Sequence, residues 1–179
     1  MSTTTTEIRQ SLPTGTWRLD PVHSTIDFEI QYMVGAFRGR FADVQATLEG
    51  GTLTGSAQAA SVDVRDENLA AHLQSPEFFD AERHPELRFV STDIAREGDA
   101  VTVRGELTLK GVTQPIELRG TIVDPITDPY GQERIGLKLS GSVDRTAFGL
   151  DWNNPLPTGE PALANDVTLI GDLYFVRAA

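Results

Sequence analysis

Three histidines, His23, His72 and His84, are the only imidazoles in the 179 residues. They lack the i, i+4 spacing that places two ligands on one helix face, so nothing local builds a metal site. Asp20 and His23 stand just before Ser24, a grouping of types that a hydrolase would use. A nucleophilic serine, however, sits on a strained elbow such as Gly-x-Ser-x-Gly, and the chain has none. It also has no cysteine. That removes a disulfide framework, a thiolate nucleophile, a Cys-ligated zinc and an iron–sulfur cluster. Neither a dinucleotide-binding glycine fingerprint nor a phosphate loop is present. The sequence therefore predicts no catalytic residue, no metal and no cofactor. Asp144-Arg145 reads as a structural ion pair orienting the turn that follows, in preference to a clamp on a ligand head group.

Acidic side chains number 26 against 15 basic ones, a formal net charge of −11. Nucleic-acid binding runs on Lys and Arg, and so does docking on an anionic membrane, so both are excluded as partners. The N-terminus carries no basic start and no apolar run, and no stretch approaches the roughly 18 apolar residues of a spanning helix. The expectation is a soluble, cytoplasmic protein with no stable membrane insertion. Residues 1–15, with their Thr run before Pro13, are expected to be a flexible tail. Residues 16–179 are expected to form one domain.

The elements that must position any site follow period two. From Thr25 to Tyr32 the even positions are Ile26, Phe28, Ile30 and Tyr32, and the odd ones are polar, which is the code of a half-buried strand. The same alternation runs through Ala42, Val44, Ala46 and Leu48, then through Val101, Val103, Leu107 and Leu109. It continues in Ile135, Leu137 and Leu139, and in Val167, Leu169 and Leu173. Glu49-Gly50-Gly51-Thr52 and Glu97-Gly98-Asp99 are hairpin turns, and Asp124-Pro125 to Tyr130-Gly131 reads as a longer loop. One stretch breaks the pattern: Asp66 to Gln74 predicts a short helix capped by Asp66, followed by an irregular segment carrying Phe78 and Phe79. About eight antiparallel strands predict an all-β barrel or sandwich.

A barrel of about eight strands is either filled by its own side chains or holds one small ligand. The presumed inner face mixes Phe28, Tyr32, Phe89, Leu107 and Leu109 with Ala42, Ala46, Ala57, Ala59 and Gly105. Small inward residues leave room for a tube, while a solid tapered core remains the alternative. A long apolar chain could bind such a tube with few polar contacts, since each CH₂ removed from water contributes about 0.8 kcal/mol. A small enzyme acting on an apolar substrate would instead need a polar dyad deep inside. An apolar mouth or an exposed edge strand would favour a homodimer.

Six segments resemble one known family. They are Trp17 to Ser24 (Trp-x-x-Asp-Pro-x-His-Ser), Gly39-Arg40-Phe41, His72 to Asp80 (His-Leu-x-Ser-x-x-Phe-Phe-Asp), Pro85 to Thr92, Leu107 to Pro115, and Asp144 to Trp152 (Asp-Arg-x-x-Phe-Gly-x-x-Trp). In order and spacing the chain is similar to the YceI-like family, the lipocalin-like polyisoprenoid-binding proteins of bacteria. The resemblance implies an extended eight-stranded antiparallel barrel, with one short helix and an irregular insert around 66–84. It also implies a long-chain amphiphile, such as a polyisoprenoid or isoprenoid quinone, bound in an apolar pore without chemistry. The ligand-binding candidates are Phe28, Ile30, Tyr32, Met33, Phe41, His72, Leu73, Phe78, Phe79, Phe89, Leu107, Leu109, Phe148 and Trp152. The sequence departs from the family at Leu69-Ala70, where an Arg-Asp pair is usual, and at Tyr32-Met33, where a His is common. From Ser61 to Asp99 ten acids stand against four bases, which is −6 of the −11. An acidic loop at the mouth disfavours a phosphorylated head group and fits a neutral one.

Overall fold

A computed structural model describes residues 11–178. Its strands are β1 (Thr16–Leu19), β2 (Thr25–Tyr32), β3 (Gly35–Phe41), β4 (Val44–Glu49), β5 (Thr52–Gln58) and β6 (Val62–Asp63), then β7 (Glu86–Glu97), β8 (Ala100–Leu109), β9 (Val112–Thr127), β10 (Glu133–Asp144) and β11 (Leu163–Arg177). One helix, α1 (Glu67–Gln74), interrupts them between β6 and β7. The pairs run antiparallel in the order β1-β4-β5-β7-β8-β9-β10-β11, and β1 pairs again with β11 to close the ring. β2 and β3 continue the lines of β1 and β4: β2 lies on β11, β3 on β2, and β6 on β3. The result is a closed eight-stranded antiparallel barrel in which the first three long strands are broken once each.

The first two breaks have local causes. Between β1 and β2, Asp20 Oδ1 accepts from the Val22 amide and Pro21 removes a donor, so the chain leaves the ladder. Ser24 then stands in for the missing strand: its Oγ donates to the Tyr174 carbonyl and accepts from the Tyr174 amide. The group of Asp20, His23 and Ser24 is thus a strand break. Asp20 Oδ2 holds His23 at 2.7 Å and Arg134 at 2.9 Å, and Arg134 also reaches Asp128 at 2.7 Å. Burial opposes ionisation of Asp20, but the bonds from Arg134, His23 and Val22 outweigh it and lower its pKa from 3.8 to about 2.

Between β3 and β4 the chain turns outward at Ala42, which is exposed, while Val44 and Leu48 are buried and Ala46 half-buried. Ala42 was expected on the inner face; the break, where its amide bonds Ser61, takes it out of the alternation. The loop expected from Asp124 shrinks to Asp128–Gln132, because β9 runs to Thr127. Its Pro125 is tolerated at a bulge, where the register shifts opposite Arg134 and Gly136. The Gly50-Gly51 and Lys110-Gly111 turns have both residues at positive φ, as two-residue hairpins of the primed type require.

Two apolar clusters line the barrel. One, at the β1 end, packs Trp17, Leu48, Val103, Ile135, Leu139 and Phe175 and is solid. Trp17 and Phe175 are fully buried, the Trp17 N–H donates to the Thr14 carbonyl, and the Arg177 guanidinium lies 4.7 Å over the indole. The other core lines the opposite half, around Phe28, Phe41, Phe79, Leu107 and Phe148. Most of the expected tail lies outside the described residues; its described part lies against the barrel, where Leu12 packs on the solid core and the Ser11 carbonyl accepts from Arg96.

Two outcomes follow. A Cβ on Gly120 would stand 1.6 Å from the Lys138 carbonyl oxygen, whereas one on Gly136 meets only ordinary contacts at 3.6 Å. Gly120→Ala is expected to lower stability by about 3 kcal/mol or more in denaturant unfolding, and Gly136→Ala by less than about 1. Asp20 titrates lower folded than unfolded, so its stabilisation is complete above about pH 4 and fades as pH falls towards 2. Asp20→Asn should remove about 1–2 kcal/mol of stability at neutral pH and flatten the acid limb of the stability curve in that window.

Candidate functional site

The half of the barrel away from Trp17 is hollow. A cavity of about 470 Å³ runs inside it, partly open to solvent, within the range of small-molecule sites of roughly 300–1,000 Å³. Its floor is the edge of the solid core: Leu53, Leu118, Leu139 and Leu173. Its walls come from alternate residues of the long strands, such as Ile26, Phe28 and Ile30 of β2 or Leu107 and Leu109 of β8. The space is not simply where the small residues stand. The Phe89 ring lies where a Cβ of Gly105 would project, and the Phe28 ring covers Gly39 in the same way. Glycine here lets a large ring lie flat on the wall.

The segment after β6 closes the far end. Asp66 caps α1 by accepting from the Leu69 amide at 2.9 Å, and Leu69 and Leu73 turn towards the cavity. The chain then doubles back, with the Phe79 amide on the Leu73 carbonyl and the Ala81 amide on Gln74. Lys110 at the β8–β9 turn ties this loop to the barrel by donating to the Pro76 carbonyl. The adjacent phenylalanines part company. Phe79 joins Phe28 and Phe41, with ring centroids 6.3 and 5.5 Å away. Phe78 joins His72 and Trp152, at 5.0 and 5.4 Å. Both are buried and both line the cavity.

His72 neither caps the helix nor bonds the loop backbone through its ring. Its Nε2 donates to Glu77 at 2.6 Å, and its ring stands edge-on between Phe78 and Trp152. His23 pairs with Asp20, and His84 packs under Gly111, so the three imidazoles are apart. Among the described residues no three His, Asp or Glu groups gather as metal ligands.

Asp144 and Arg145 do not form the expected ion pair. Asp144 Oδ1 caps the following 3₁₀ turn, accepting from the Thr146 amide and hydroxyl at 2.9 and 2.6 Å. Arg145 turns inward and is 4% exposed. Its Nε donates to the Ala164 carbonyl, and its Nη1 to those of Leu150 and Trp152. Ala164 is available because the β11–β2 register shifts between Leu163 and Val167. Burial pushes the guanidinium pKa down, against the pull of Asp151 and Asp144, but an arginine stays protonated.

Of the fourteen binding candidates, thirteen line the cavity; Met33 does not. It sits in the β2–β3 turn at φ 49 and is about half exposed, because the alternation of β2 ends at Tyr32. Ile26 and Phe37 were missed although they share the period-two code. Ile116 and Val143 were missed because their placement depends on how β9 and β10 run, and Leu150 because it follows the 3₁₀ turn after β10. Those two strands pair from Glu133–Thr127 to Ser140–Arg119, and beyond that an outer groove, lined by Gln114, Gly141 and Val143 among others, opens between them.

A closed lipocalin-like barrel with one apolar cavity end and one solid end is the class that fold and site define. Residues 17–175 match the YceI-like domain, and the chain belongs to the YceI-like family. Protein YceI of Salmonella newport is 31% identical over 136 residues, covering 72% of this chain and 71% of that one. A UPF0312 protein of Photorhabdus laumondii is 32% identical over 134 residues, 70% of each chain. Among solved structures, BcnA of Burkholderia cenocepacia superposes with a TM-score of 0.72 at 21% identity, over 87% of this chain and 98% of that one. A polyisoprenoid-binding domain from Saccharophagus degradans gives 0.68 at 13% identity, over 90% and 98%.

The facing of the strands is open to test. Leu107→Asp, which puts a carboxylate on the cavity wall, should weaken uptake of a fluorescent naphthylamine by about tenfold or more. Thr121→Asp, on the exposed face of the neighbouring strand, should leave uptake unchanged.

Proposed function

We propose that this protein binds and carries, or stores, a long-chain amphiphile of isoprenoid type, without catalysis. The observation that carries the reading is the cavity itself: about 470 Å³ walled almost entirely by aliphatic and aromatic side chains. Such a space rewards length and apolarity in a ligand. At about 0.8 kcal/mol per buried CH₂, a chain of several isoprene units needs no dense polar contacts to be held. Membership of the YceI-like family and the structural likeness to a polyisoprenoid-binding domain support the same class of ligand.

A polar dyad inside the cavity is what a catalytic reading would need. His72, the one imidazole lining it, pairs with Glu77, but Glu77 is exposed and is not part of the lining, so the pair sits at the rim and not deep inside. Ser24, the serine nearest a histidine in sequence, spends its hydroxyl on the Tyr174 backbone. Both observations favour binding over chemistry.

Two tryptophans make the test direct. Trp152 lines the cavity, while Trp17 is fully buried in the solid end. Organic extraction and mass spectrometry of protein purified without detergent should recover a long-chain amphiphile. Adding geranylgeraniol to delipidated protein should shift the Trp152 emission, and the shift should vanish in Trp152→Phe. No extractable amphiphile together with no emission change would overturn the reading.

A further inference from the structure

The binding reading leaves one group unexplained. A guanidinium has five N–H donors. Arg145 uses three of them, on Ala164, Leu150 and Trp152, all neutral backbone carbonyls. Its Nη2 is buried and meets no acceptor. The other two arginines that are well shielded behave differently: Arg96 pairs with Asp124 at 2.9 Å, and Arg134 with Asp20 and Asp128. Among the described residues Arg145 makes no ion pair, although it is 4% exposed and lines the cavity. A buried charge is normally paired, and a buried donor normally bonded.

Resting on the cavity as a ligand tube, we propose that Arg145 is the head-group anchor and that the site selects a long-chain amphiphile ending in a carboxylate. A carboxylate oxygen on Nη2 would complete the guanidinium's bonds and neutralise its charge at once, which a hydroxyl or a hydrocarbon end cannot do. The three carbonyls fix the plane of the fork before the ligand arrives, so no side-chain rotor is frozen on binding. Trp152, whose carbonyl holds Nη1, and Phe148, one turn on, flank the anchor, and the chain then lies along Phe28, Phe79 and Leu107. The surface acids do not forbid this. At ordinary salt their field decays over about 8 Å, while a buried charge is screened far less. The acidic rim argues against a multiply charged phosphate; a single carboxylate seated on a buried guanidinium that Asp144 and Asp151 influence only at a distance, without a salt bridge, is a different case.

The experiment compares myristate, myristyl alcohol and methyl myristate as competitors of a fluorescent naphthylamine on delipidated full-length protein. The expected result is that myristate binds about tenfold or more tightly than either neutral chain, or 1.4 kcal/mol. In Arg145→Met that preference should fall below about twofold. If Arg145→Met does not fold by circular dichroism, Arg145→Lys, which keeps a charge and loses the fork, should show an intermediate preference. Equal binding of the three chains to the unaltered protein overturns the carboxylate proposal and leaves the tube reading standing. A preference that survives intact in a folded variant overturns the role of Arg145. Failure of every chain, neutral or charged, overturns the tube reading itself.

Discussion

Four residues close the ring. Thr16–Leu19 bond Thr47–Glu49 on one side and Phe175–Arg177 on the other, and without them those stretches of β4 and β11 would be open edges at this end of the barrel. Closure removes edges, so most backbone polar groups of the wall are spent within the wall, the stretch of β9 and β10 beyond Ser140–Arg119 excepted, and the interior is left to side chains. That is the condition for an interior that is both apolar and hollow. The closing strand is short because Asp20 and Pro21 end it, and its hold is reinforced from inside by Trp17, fully buried against the solid core. The ion cluster of Asp20, His23, Arg134 and Asp128 fastens the same corner from outside, tying the strand break to β10 and the β9–β10 loop.

The two ends of the barrel divide the work. At the Trp17 end, Val103, Ile135 and Phe175 are fully buried with Trp17 and Leu48 in one packed cluster. At the other end the wall is lined by larger rings lying flat, with Phe28 over Gly39 and Phe89 over Gly105. Flat rings widen a tube where upright ones would fill it. The end is then partly covered by a segment that is not part of the wall: α1 and the loop bearing Phe78 and Phe79, secured by Lys110 and by the aromatic group of His72, Phe78 and Trp152.

Strand periodicity made most of this legible. The even positions of β2 and the alternation in β8 identify wall residues because side chains point to opposite faces in turn. The helix was legible from Asp66 and the Leu69–Leu73 spacing. What was not legible depends on contacts distant in sequence. Ala42 falls out of alternation only because the chain breaks to meet Ser61, and Met33 only because the alternation stops at the turn. Arg145 was read with its neighbour Asp144, as adjacent opposite charges invite. Its actual partners are carbonyls at 150, 152 and 164, set free by a turn and by a bulge that no local pattern announces.

The central claim is that the far half of this barrel is an apolar tube shaped for a chain. The most direct measurement is a crystal structure of the protein as purified, with density in the cavity examined before any ligand is built. The account predicts one continuous, unbranched or methyl-branched ribbon of density running from the rim at Trp152 to the floor at Leu139 and Leu173. Discrete water peaks in that space, or side chains folded inward to fill it, would contradict it.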